Sequence, residues 1–234
     1  MNLNRKKKVG LWLVMLITLG AAAALLNHGA IPQPLSYHGF ADKKAIWGIP
    51  NFFDVLSNLP FVLVGLLGLY KTSRKNRINI ISENRFSYQV FFIGVALVGV
   101  GSGYYHLSPD NATLVWDRIP MTIAFMALCC IVIGEYASGR LGAILLVPLV
   151  SVGVLSVLYW HWTEVAGRGD LRPYILVQFL PMLLIPVILF CFKSGFNRVS
   201  GYWLLLLAYA IAKLFEHFDR EVLGATLFIS GHSL

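Results

Sequence analysis

The sequence predicts an all-α protein, a multi-pass transmembrane helical bundle, on three observations. Hydrophobic residues make up 57% of the 234 and charged residues only 13%. A soluble domain carries roughly 25% charged residues to cover its surface, so most of this surface must face lipid. The mean hydropathy is +0.70. Apolar runs of helix-spanning length recur along the whole chain, enough for seven or eight spans of ~20 residues.

The elements follow in order. A basic tract, Arg5, Lys6, Lys7 and Lys8, precedes an apolar run from Val9 to Leu26. Its length favours an uncleaved membrane anchor over the shorter core of a secretory signal, the alternative suggested by the alanines at 21–24. Residues 27–50 form a polar connection containing Pro32, Pro34 and Pro50. Further apolar runs lie at 52–70, 88–107, 113–135, 140–160, 173–192 and 199–217. Each is long enough to cross about 30 Å of hydrocarbon at about 1.5 Å per residue. Pro120, Pro148, Pro181 and Pro186 fall inside runs, which membrane helices tolerate when neighbours satisfy the freed carbonyls. The last stretch, Val222 to Leu234, is too short to span. It reads as a truncated helix or as a half-helix held in the bundle, truncation being favoured. Cys129, Cys130 and Cys191 lie within apolar runs, lack a metal-ligand spacing, and read as packing residues.

The net charge of +8 does not point to nucleic acid, because the basic residues flank apolar runs. A cytoplasmic N-terminus puts Arg5, Lys6, Lys7, Lys8, Lys71, Arg74, Lys75, Arg77, Arg85, Arg140, Lys193 and Arg198 inside, twelve residues against five opposite (Lys43, Lys44, Arg168, Arg172, Arg220). Basic loops stay cytoplasmic, so this is the expected orientation.

Polar groups in membrane helices are costly. Alternating topology carries Ser57, Asn58, Ser102, His106, Asp117, Glu216, His217, Asp219 and His232 toward the outer leaflet. Ser102 and His106, four apart, share a helix face. Gly99, Gly101 and Gly103 beside them suit a close helix seam. Taken singly, His106 reads as an interfacial residue, Asp117 as a cap or a partner of Arg118, and Trp160, His161, Trp162 and Glu164 as a boundary anchor. Glu216, His217 and Asp219 read equally as partners orienting a ligand histidine or as a wet helix end.

Three stretches alter that balance: DVLSNLPF at 54–61, GVGSGYYHLSPDNATLVWDRIPM at 99–121 and GHSL at 231–234. Together they resemble the alkaline ceramidase family, among the seven-helix membrane hydrolases related to adiponectin-receptor-like proteins. The resemblance covers about residues 48–234 and makes residues 1–47 an added helix and loop, hence seven family helices plus one. It implies a zinc-dependent hydrolase cleaving an amide in a lipid such as ceramide. By resemblance His106 and His232 are zinc ligands, Asp117 handles the proton of the attacking water, and Ser102 holds the carbonyl oxygen or a nearby water. Ser57 and Asn58 are placed as structural support, and Asp219, from its own position, as a further supporting residue.

Two departures qualify the resemblance. The family's second histidine on the last helix would fall at position 236, so the third ligand is expected beyond Leu234. The acidic calcium pattern of animal ceramidases is not reproduced around Asp42, Trp47, Asn51 and Asp54, and calcium is not expected. The partners implied are a lipid amide entering from the bilayer and the membrane itself, with no nucleic acid. The rival readings are a non-enzymatic receptor or scaffold of the same fold, and a small transporter using His106 and Asp117 as a proton path.

Overall fold

Backbone amides in hydrocarbon must be satisfied within their own segment, which favours helices. The computed structural model describes residues 5–74, 78–197 and 199–233, and among them there is no strand. Lys75, Arg77 and Arg198 of the basic loops and Leu234 of the last motif lie outside the described residues.

The helices are α1 (Arg5–Asn27), α2 (Phe52–Leu56), α3 (Leu59–Ser73), α4 (Arg85–Leu107), α5 (Asn111–Tyr136), α6 (Gly139–Val165), α7 (Arg172–Cys191), α8 (Ser200–His217) and α9 (Asp219–Thr226). Six stretches are long and apolar enough to cross a membrane: α1, α2 with α3, α4 with the 3₁₀ turn before it, α5, α6 and α7. The run expected at 199–217 forms a helix but is not among them. Lys213, Glu216 and His217 crowd its last two turns and dilute its apolarity.

Helix α5 is the axis of the bundle and packs against α4, α6 and α7. The apolar window of α5 is 61% buried, whereas that of α1 is 6% buried. The α1 helix lies against α7 and leaves Leu11, Trp12, Leu16 and Leu19 exposed, as a lipid-facing helix should.

The α4–α5 seam carries the site, and Gly101 makes it possible. A Cβ there would stand 2.0 Å from the Trp116 carbonyl oxygen, so only glycine lets the helices approach this closely. Gly103, expected in the same seam, faces open space. Helix α5 begins at Asp110, whose side chain accepts from the Thr113 backbone N–H at 2.7 Å. That charge-assisted cap holds the Asp110 carboxyl below its ordinary range.

The single run expected at 52–70 is broken at Ser57 and Asn58. Pro60, in the first turn of α3, has no N–H, and its ring clashes with the carbonyl four residues back. The Asp54 carbonyl at the break accepts from Asn58 Nδ2 at 2.7 Å and Ser57 Oγ at 3.1 Å.

The final segment also differs from expectation. Instead of one descending half-helix, α9 stops at Leu227, which adopts a left-handed φ of 59°. The chain then doubles back until the Gly231 N–H donates to the Asp219 carbonyl at 3.2 Å. A Cβ on Gly231 would meet the Phe215 carbonyl oxygen at 2.1 Å, so glycine is required there too. His232 therefore stands level with Asp219, in a loop.

Candidate metal centre

His106 occupies the last turn of α4 and is 2% exposed. His232 arrives from the returning loop, and the two Nε2 atoms are 3.2 Å apart. Phe40, from the connection after α1, lies over both imidazoles with centroids at 4.6 and 4.5 Å. The His106 carbonyl accepts from Asn51 Nδ2 at 2.7 Å, while its Nδ1 is buried without a partner. Tyr105 beside it bonds His38 Nδ1 at 2.8 Å, and His38 Nε2 bonds Asn111 Oδ1 at 2.9 Å. The connection bearing Phe40 is thereby tied to the start of α5.

Two carboxylates hold the His232 loop. Asp219 Oδ1 accepts the His232 backbone N–H at 2.8 Å, and its Oδ2 accepts that of Ala41 at 2.8 Å. Asp54 Oδ1 accepts the hydroxyls of Ser230, at 3.1 Å, and of Ser233. Asp54 belongs to the 54–61 motif, yet nothing local to it signals this role. The same holds for Phe40, where no local signal exists.

Asp117 is buried in the first turns of α5. Ser102 interacts with its carboxylate, and Arg118, His232 and Lys213 lie within electrostatic reach. Arg118 does not ion-pair with it. The guanidinium donates to Gln33 Oε1 at 2.6 Å and stacks on Trp160 and Tyr174 at 4.3 and 4.5 Å. Trp160 is fully buried and donates to Glu164 at 3.1 Å, which corrects its reading as a boundary anchor. Trp162 remains exposed.

A cavity of about 590 Å³ joins these residues. Ser57, Asn58, Ser102, His106, Asp117 and His232 line its polar end, and Phe61, Val95, Val98, Phe125 and Leu128 its apolar length. Lys213 and Glu216, an ion pair at 2.5 Å, also face it. Of the site residues expected from sequence, Asp219 alone stands outside this cavity, acting through its grip on the His232 backbone.

Two ligands at about 2.0–2.1 Å from a tetrahedral zinc stand about 3.3 Å apart, and the Nε2 separation matches that edge. Among the described residues no group of three histidine, cysteine, aspartate or glutamate side chains gathers as a metal site. His106 and His232 thus stand as two candidate nitrogen donors, where a catalytic zinc site commonly takes three protein ligands.

A family model described as Ceramidase matches residues 45–219. The match contains Ser57, Asn58, Ser102, His106, Asp117 and Asp219, and ends 13 residues before His232. No curated protein and no solved structure matches the chain.

Proposed function

Because the chain belongs to the ceramidase family, we propose that it is a membrane-embedded, zinc-dependent hydrolase of a lipid amide such as ceramide. The observation that carries the metal dependence is the pairing of His106 and His232 through Nε2 atoms 3.2 Å apart. When bound, a zinc ion supplies a water with a pKa near 7 and polarises a carbonyl.

The chain's own residues do the rest. His106 and His232 present the nitrogen donors, Phe40 shields their rings, and Asp219 and Asp54 fix the loop that delivers His232. Asp117 takes the proton of the attacking water and returns one to the leaving amine. Ser102 hydrogen-bonds the substrate oxygen or a water beside it, while Ser57 and Asn58 shape the wall opposite. The apolar length of the cavity accepts acyl chains and places the amide at the polar end. With a cytoplasmic N-terminus, as the basic loops favour, this end faces the outer leaflet.

The test is hydrolysis of a long-chain ceramide by the purified protein, with loss on chelation and recovery with zinc. Zinc bound without turnover on any acyl amide would favour the receptor or scaffold reading, and proton-coupled flux without a metal requirement the transporter.

A further inference from the structure

Lipid and water must meet at one point in such a site, yet the large cavity is apolar over most of its length. A second cavity of about 330 Å³ lies against the first. Its walls include Ser36, Gly39, His217, Asp219, Arg220 and Glu221, all polar but Gly39. All of these except Asp219 are exposed. The cavity has room for several waters.

Tyr37, Glu216 and His232 line both cavities, whereas His106 lines only the first and Phe40 only the second. Tyr37, Glu216 and His232 therefore form the partition, with the polar end of the lipid-sized cavity on one side and the smaller polar cavity on the other. We infer that the second cavity is the water channel of the site, bringing hydrolytic water to His232 from the polar side while lipid fills the first cavity. This rests on the hydrolase reading. A single shared opening would require each water to pass the bound acyl chains, whereas a separate polar path lets the amide be seated and wetted at once. The residues that close the path are Tyr37 and Phe40, carried by a connection that Asp219 clasps at Ala41.

Hydroxyl-radical footprinting of the purified full chain, read residue by residue by mass spectrometry, tests the channel without reference to turnover. Phe40 is 7% exposed, so its modification reports water held beside it. The wild-type protein should show Phe40 modified. Ser36→Trp and Glu221→Trp, which fill the second cavity from two different segments, should each lower that modification several-fold. Ala212→Trp, which fills the first cavity from α8, should leave it unchanged. On ceramide, Ser36→Trp should lower kcat with little effect on KM. Phe40 unmodified in the wild type, or equally modified when the second cavity is filled, would overturn the channel. Absence of ceramide hydrolysis by the wild type would instead defeat the hydrolase reading, and the footprint would still decide whether the channel exists.

Discussion

Asp219 Oδ1 accepts the backbone N–H of His232 at 2.8 Å, and its other oxygen accepts that of Ala41. One carboxylate therefore holds both the segment that supplies a candidate ligand and the segment that covers it. Removing partners that orient a ligand typically costs about 10–100-fold in metal affinity. Asp219→Ala should weaken zinc binding by that order, with helix content by circular dichroism unchanged. Competition with a chromophoric chelator measures the affinity.

Asp117 and Ser102 face one another across the α4–α5 seam, and neither is a proposed metal donor. Asp117→Asn preserves shape but removes the base, so kcat on ceramide should fall by about 10²–10⁴ with zinc content retained. His161, whose ring is outside both cavities, serves as the control. His161→Ala should leave kcat near the wild-type value.

Gly101→Ala places a methyl 2.0 Å from the Trp116 carbonyl oxygen, which no rotamer relieves. Overpacking of this kind costs about 1–3 kcal/mol, and the melting temperature in detergent should drop. In Gly103→Ala the new methyl meets nothing within 4 Å. The helix should gain up to about 1 kcal/mol there, so the two substitutions should move the melting temperature in opposite directions.

Arg172 donates two side-chain hydrogen bonds to Asp170, and their charge-assisted pairing holds the Asp170 carboxyl down at about 2. A free aspartate titrates near 3.9. A folded-state pKa below the unfolded one gives stability that is present above the unfolded value and lost as pH falls through the folded one. The thermal stability contributed by this pair should therefore fade between about pH 4 and pH 2. Asp170→Asn should be less stable at neutral pH and lack that component of the acid dependence, as thermal scans at stepped pH will show.

The fold was legible because hydrocarbon imposes a simple code. Runs at 88–107 and 113–135 became α4 and α5 with ends shifted by a few residues, since apolar length sets roughly where such a helix lies and local features such as the Asp110 cap set its ends. The spacing of Ser102 and His106 likewise gave their shared face. The break at Ser57 was less visible, because Pro60 can either kink a membrane helix that runs on or start a new one, and the sequence does not say which. The return of the chain after Leu227 was hidden for a different reason. It depends on Asp219, Asp54 and the contact of Gly231 with Phe215, long-range relationships that no local period encodes. Phe40 was unreadable for the same cause: an aromatic residue in a polar connection gains its role only from the imidazoles it covers.

The proposed function requires that His106 and His232 hold one zinc ion between them. Metal analysis with X-ray absorption at the zinc edge tests it directly. One zinc per chain is expected, with imidazole nitrogens at about 2.0–2.1 Å, lost in both His106→Ala and His232→Ala. Zinc retained at full stoichiometry in either variant, or bound without imidazole nitrogen in the wild type, would contradict it.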